Sequence, residues 1–245
     1  MEIPIESLLE AIPRLRGMPI TSDGNISHAV VIPAATYAPW LDDAQFKTAY
    51  SGIWENTLVD IYRCHELWRL VAQTASIPGD ILEVGVWRGG TGALMAAQSK
   101  HLGLSKRVWL CDTFTGVVKA GDNDSYYRGG EHADTSIEVV TDLCRNLELD
   151  NVTLVKGMFP EESGDRLGEA ALSLCHIDVD VYESARAITE WAWPRLSVGG
   201  VLVYDDYGFL SCDGITRLVN EMQGRPGRVT IHNLNGHAVV VKTSS

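Results

Sequence analysis

At 245 residues the chain is long enough for one α/β domain with a lid, and it can bury its own core without staples. Hydrophobic residues at 45% and charged residues at 21% are ordinary for a globular protein. A formal net charge of -12 repels phosphate backbones and anionic lipids. Neither nucleic acid nor a membrane surface is therefore an expected partner, whereas a cationic ligand or a metal ion is compatible.

The five cysteines (Cys64, Cys111, Cys144, Cys175 and Cys212) are scattered and form no CxxC pair. That argues against a disulfide framework and a zinc knuckle, and most read as small core hydrophobes. The first ten residues carry Glu2, Glu6 and Glu10 and lack the basic and apolar segments of a signal peptide. No apolar run approaches the ~18 residues of a membrane span, so a cytoplasmic location is expected.

Residues 1–50 look irregular, with Pro13, Pro19 and Pro33 preceding Ala38-Pro39-Trp40. We expect an N-terminal arm and lid over 1–54 and the main domain over 55–245. Leu58, Ile61, Tyr62, His65, Trp68 and Val71 recur at helical spacing, which predicts an amphipathic helix over 55–75. Pro78-Gly79-Asp80 then turns the chain. Apolar runs predict strands at 81–85, 107–111, 152–156, 172–178, 200–205, 228–232 and 237–242. Helices are predicted near 90–101, 136–147, 183–193 and 213–223. This alternation indicates a doubly wound, mostly parallel α/β sheet. The last two strands flank Asn233-Leu234-Asn235-Gly236 and close the sheet as an antiparallel hairpin. Ligands in such sheets bind at the carboxyl ends of the strands.

The first strand runs Ile81-Leu82-Glu83-Val84-Gly85 into Val86-Trp87-Arg88-Gly89-Gly90-Thr91. Gly85 permits a tight turn, and Gly89 and Gly90 permit close approach. A plain strand-to-helix turn would look the same, and the dinucleotide fingerprint GxGxxG is absent. Glu83 needs a partner, which a cationic ligand head would supply. The next strand ends Cys111-Asp112-Thr113-Phe114, where Asp112 is placed to accept ribose hydroxyls or to cap a helix. Together, Glu83, Gly85, Gly89 and Asp112 resemble the cofactor side of class I methyltransferases that use S-adenosylmethionine (SAM). The middle glycine of that family's loop is replaced by Trp87. Thr91 and Thr113 are assigned to the same cofactor-binding set.

Two later strands end in Ile177-Asp178-Val179-Asp180 and Tyr204-Asp205-Asp206-Tyr207. If these strands are neighbours, Asp178 crowds Asp205 or Asp206. At ~4 Å and an effective dielectric of ~20, each such pair repels by roughly 4 kcal/mol. A hard divalent cation relieves that repulsion; alternatively, one acid simply caps the following helix. In an extended segment Asp178 and Asp180 would face the same way. His176, inside an apolar strand, reads as a satisfied core histidine, and Trp191 and Trp193 as core and helix end. The glycine-flanked Tyr126-Tyr127 in the 115–135 loop suits either a lid or a solvated surface loop.

Four segments make the resemblance specific: Thr57-Leu58-Val59-Asp60-Ile61-Tyr62-Arg63-Cys64, Glu83 to Gly90, Asp178-Val179-Asp180-Val181-Tyr182-Glu183-Ser184, and Tyr204-Asp205-Asp206-Tyr207-Gly208. From about Tyr37 onward the chain resembles the macrocin O-methyltransferase family, whose members methylate sugar hydroxyls of antibiotics. The resemblance implies SAM as co-substrate, Mg²⁺ on Asp178, Asp205 and Asp206, and Asp180 as general base. It also implies a sugar or glycosidic small-molecule acceptor and a homodimer or larger homo-oligomer. Val179 replaces the glycine usual between the two acids. Competing readings are a catechol-like phenolic O-methyltransferase, which would typically show Asp-Asn at 205–206, an NAD-dependent oxidoreductase, and a non-catalytic SAM-binding protein.

Overall fold

The computed structural model describes residues 19–22, 25–29, 37–233 and 235–245. The chain divides into two compact units, Met1–Asp42 and Asp43–Ser245. In the smaller, β1 (Pro19–Ser22) pairs antiparallel with β2 (Asn25–Ala29), so part of the stretch expected to be irregular is a hairpin. The remainder of the expected arm before residue 37 lies outside the described residues, as does Leu234 in the last connection.

The larger unit begins with α1 (Ala44–Ile53), again where irregular chain was expected. Asp43 caps it, accepting the Phe46 N–H at 2.9 Å and the Trp68 indole N–H at 3.0 Å. The predicted 55–75 helix is shorter: a 3₁₀ turn at Trp54–Asn56 precedes α2 (Ile61–Gln73). Asp60 caps α2 by accepting the N–H groups of Tyr62 and Arg63 at 2.9 and 3.0 Å.

From there strand and helix alternate: β3 (Asp80–Val84), α3 (Gly90–His101), β4 (Val108–Asp112), α4 (Ile137–Asn146), β5 (Val152–Lys156), β6 (Leu172–Ile177), α5 (Tyr182–Arg195), β7 (Leu196–Tyr204), α6 (Asp213–Met222), β8 (Arg228–His232) and β9 (Ala238–Lys242). Seven strands form one sheet in the order β5-β4-β3-β6-β7-β9-β8. Five are parallel, and β9 and β8 close it antiparallel, as the helix-free connection predicted. β6 is buried along its whole length, because helices cover both faces of a parallel sheet. The strand order reverses beside β3, and the crevice over β3 and β6 is where such a sheet binds ligands. All five cysteines are buried and unbridged. Trp191 packs edge-on against Phe159 at 4.8 Å and Trp193 carries the Arg228 guanidinium at 3.9 Å, so neither faces a ligand site. Among the described residues no helix is long and apolar enough to cross a membrane.

Candidate active site

Three neighbouring strands end level with one another. Their ladders run one residue past the strands: Gly85 N–H donates to the Cys111 carbonyl (3.1 Å), Asp178 N–H to Val84 (2.9 Å) and Asp205 N–H to Ile177 (3.0 Å). A cavity of about 270 Å³ opens above this row. Gly85, Thr91, Asp112, Thr113, Asp178, Asp180, Asp205 and Asp206 all line it. Gly85 has φ +88°, and a Cβ there would stand 1.7 Å from the Asp178 carbonyl oxygen. The glycine thus lets the loop after β3 lie against the chain that carries Asp178.

On the cofactor side, Asp112 clamps the loop. One oxygen accepts the N–H groups of Val86 (2.6 Å) and Trp87 (2.9 Å), and the other accepts that of Phe114 (2.6 Å). It caps no helix among the described residues, and it lines the cavity with lone pairs left over from these three bonds. Gly89, with φ +89°, is the N-cap of α3 and stands outside the cavity lining; Thr91 follows it, buried at the cavity wall. Glu83 is fully buried, is not among the cavity-lining residues, and has a protein partner in His176 Nδ1 at 2.9 Å.

On the acidic side, ligand atoms of Asp178, Asp205 and Asp206 lie within 4.8 Å of one another. Neither Asp205 nor Asp206 caps α6, whose N-cap is Cys212. Asp178 and Asp180 do not share an extended segment. The strand stops at Ile177, and the Val181 N–H donates to the Val179 carbonyl (2.7 Å), closing a γ-turn around Asp180 at φ +65°. Asp206 is also left-handed, with φ +60°. Both acids converge with Cys212, whose Sγ lies 3.6 Å from Asp206 Oδ2.

Arg63 from α2 supplies the counter-charge. Its Nη1 donates to Asp205 Oδ2 at 2.8 Å and Asp206 Oδ1 at 2.7 Å, while Nε holds Asp60 at 2.9 Å. Sequence reasoning gave Arg63 no role, although a signal existed: it shares the buried face of its helix with Leu67, Leu70 and Val71, and a charge there requires a partner. Behind Asp205 stands His237, also missed, whose Nε2 is 2.9 Å from Asp205 Oδ1 and whose Nδ1 is 2.7 Å from Glu66.

These partners sort the acids. Burial would raise Asp205, but His237 and Arg63 overcome it and hold the carboxyl well below its usual range. Asp178 has no hydrogen bond from its carboxylate to any described residue, and burial together with Asp205 and Asp206 pushes it well up. Burial and Asp206 push Asp180 up to about 7, against a hydrogen bond from Tyr127. Despite burial, Asp205 and Glu66 raise His237 to about 9.

Tyr127 comes from the 115–135 loop, which is folded back on itself rather than splayed into solvent. Val117 N–H donates to Glu131 (2.8 Å) and Gly130 N–H to Val117 (2.9 Å), turning Tyr127 inward to line the cavity with Val117, Val118 and His132.

Residues 43–228 match the macrocin O-methyltransferase (TylF) family. A tetracenomycin-pathway enzyme from Streptomyces olivaceus, an 8-demethyl-8-(2,3-dimethoxy-α-L-rhamnosyl)-tetracenomycin-C 4′-O-methyltransferase, is 31% identical over 70% of this chain and 69% of its own. The demethyldecarbamoylnovobiocin O-methyltransferase of Streptomyces niveus is 30% identical over 69% of this chain and 68% of its own. Among solved structures, the O-methyltransferase NovP superposes with a TM-score of 0.67 at 26% identity, over 77% of this chain and 83% of that one. Asp178, Asp180, Asp205 and Asp206 at the ends of two adjacent strands, the glycine-turned loop beside them and this kinship agree: the chain belongs to the macrocin O-methyltransferase family of SAM-dependent O-methyltransferases.

Proposed function

We propose that the protein transfers the methyl group of SAM to a hydroxyl of a sugar or glycosylated natural product, with Mg²⁺ held by Asp178, Asp205 and Asp206. The observation that carries this reading is the convergence of those three carboxylates on the wall of the cavity that the SAM loop also lines. The donor set fits the ion: all-oxygen ligands suit a hard cation, and the Asp178 carboxylate has no hydrogen-bond partner among the described residues to give up. Arg63 takes Asp205 Oδ2 and Asp206 Oδ1 and keeps both acids in place, while Asp205 Oδ1 meets His237 and Asp206 Oδ2 meets Cys212. When bound, the cation acidifies a coordinated hydroxyl and fixes its position.

The protein's own groups do the rest. Asp112 and Thr113 sit where a ribose would be gripped, and Gly85 and Thr91 line the passage for the sulfonium-bearing end. Asp180, poised near neutrality, takes the proton from the acceptor oxygen as that oxygen attacks the methyl carbon and the methyl–sulfur bond breaks. Tyr127 orients that carboxylate and, with the folded loop around it, keeps water out of a reaction in which charge is neutralised.

The printed names of the relatives favour glycosylated acceptors over catechols. A mass-spectrometric screen for a single added methyl, run on rhamnosylated polyketides, aminocoumarins and catechols with and without EDTA, tests the reading. Turnover of catechols alone, or full turnover in chelator, would overturn it. The proposal extends to a homo-oligomer in solution, which light scattering checks.

A further inference from the structure

Beneath the carboxylate cluster the sheet buries a second set of ligating atoms. His176 on β6, His237 just before β9 and Asp205 after β7 are 0%, 0% and 3% exposed. One atom from each (Nε2, Nε2 and a carboxylate oxygen) lies within 4.8 Å of the other two. The buried His176 Nε2, His237 Nε2 and Asp205 Oδ1 have no hydrogen-bond partner among the described residues.

The opposite side of each imidazole is occupied. His176 Nδ1 meets Glu83 Oε1 at 2.9 Å, and His237 Nδ1 meets Glu66 Oε2 at 2.7 Å. A carboxylate on Nδ1 fixes that nitrogen as the donor and leaves the Nε2 lone pair free, the usual support of an imidazole that ligates a metal. Glu66 is itself held by Asn233 and Asn235.

The contact between His237 Nε2 and Asp205 Oδ1 points the same way. The atoms approach to 2.9 Å, yet they lack the alignment of a hydrogen bond. Two atoms bound at ~2.1 Å to one ion lie ~3 Å apart at a right angle and ~3.4 Å apart at a tetrahedral one, close to the separation seen, and each is directed at the ion and not at the other. Charge agrees as well: Glu83, Glu66 and Asp205 surround two imidazoles, and the nearby Arg63 is already shared with Asp60 and Asp206.

We propose that His176, His237 and Asp205 form a buried site for a borderline first-row divalent ion of the zinc class. It shares only Asp205 with the cavity-facing acids, Oδ1 being turned inward to His237 and Oδ2 toward Arg63. Two imidazoles and one carboxylate select such an ion over Mg²⁺. Enclosed on all sides, the ion joins β6, β7 and β9 to each other and, through Glu83 and Glu66, to β3 and α2. Its role is structural, and it is held through purification.

The test is elemental analysis of the full chain, produced in zinc-supplemented medium and passed over a weak chelator. One first-row ion per chain is expected, with Co²⁺ giving ligand-field absorption bands after refolding in its presence. His237→Gln and His176→Gln should lose the ion. Glu66→Gln, at a partly exposed position that tolerates the change, should fold and bind Zn²⁺ roughly 10–100-fold more weakly. A wild-type chain that retains no ion and gives no Co²⁺ spectrum overturns the proposal, leaving a proton shared by His237 and Asp205. Ion retained undiminished in Glu66→Gln and either histidine variant overturns it too. The Mg²⁺ reading is tested apart from this one, by the chelator-dependence of turnover and by Asp178→Asn, because only Asp205 is common to the two sites.

Discussion

Arg63 and Asp205 stand 142 residues apart in the chain and meet at 2.8 Å, with the arginine side chain 7% and the aspartate side chain 2% exposed. Removing one partner of such a pair leaves a buried charge uncompensated, at a cost of about 3–5 kcal/mol. Arg63→Gln is therefore expected to lose that much stability in denaturant unfolding. Added Mg²⁺ should restore part of it by supplying the missing positive charge, and a loss that Mg²⁺ leaves unchanged would speak against a shared cation seat.

Asp178 and Asp180 should separate cleanly in kinetics. Asp180→Asn keeps its Mg²⁺ and S-adenosylhomocysteine affinities but loses roughly 10²–10⁴ in kcat, because an amide takes no proton. Asp178→Asn weakens Mg²⁺ binding, and excess Mg²⁺ recovers part of its rate. Rescue of Asp180→Asn by excess metal, with none for Asp178→Asn, would show the roles reversed. Tyr127→Phe should lower kcat with little change in cofactor affinity, since the ring stays and only the hydroxyl that faces Asp180 and His132 is removed.

Asp112 has a double task, and its variants should show both. Asp112→Ala frees the N–H groups of Val86, Trp87 and Phe114, so the melting temperature falls together with cofactor affinity. Asp112→Asn retains an accepting oxygen and should recover stability better than binding. Calorimetry showing wild-type affinity for S-adenosylhomocysteine in both variants would remove Asp112 from the cofactor site.

Gly85→Ala is a steric test of how closely the cofactor loop and Asp178 are packed. With φ +88° and a Cβ placed 1.7 Å from the Asp178 carbonyl, the backbone must move. A loss of about 4 kcal/mol or more is expected, with cofactor and Mg²⁺ binding lost together. Normal Mg²⁺ affinity in that variant would mean that the two loops adjust independently.

The repeating parts of the fold were legible because continuous apolar strands and periodic helices write themselves into local sequence. Every predicted strand from 81–85 to 237–242 is present, with ends shifted by a few residues. The helix Ala44–Ile53 was missed because its only buried residues are Phe46 and Ile53, too few to mark a face. The acids at 178, 180, 205 and 206 could be read from their strand ends. Arg63, Glu66 and His237 could not be joined to them, because their convergence depends on where α2 crosses the sheet and on the pairing of β9 with β7. The γ-turn at Asp180 left no mark in a sequence that reads Val179-Asp180-Val181.

The left-handed backbone at Asp180 and Asp206 sets chemistry against durability. Non-glycine residues in that conformation carry roughly 1–2 kcal/mol of strain each, which glycine lacks and asparagine bears more easily. A lineage freed from methyl transfer would therefore drift toward glycine or asparagine at Asp180 and gain thermal resilience. Asp180→Gly, which gives up the carboxylate of the proposed base, should melt above the parent, whereas Asp206→Gly also takes a partner from buried Arg63 and should not.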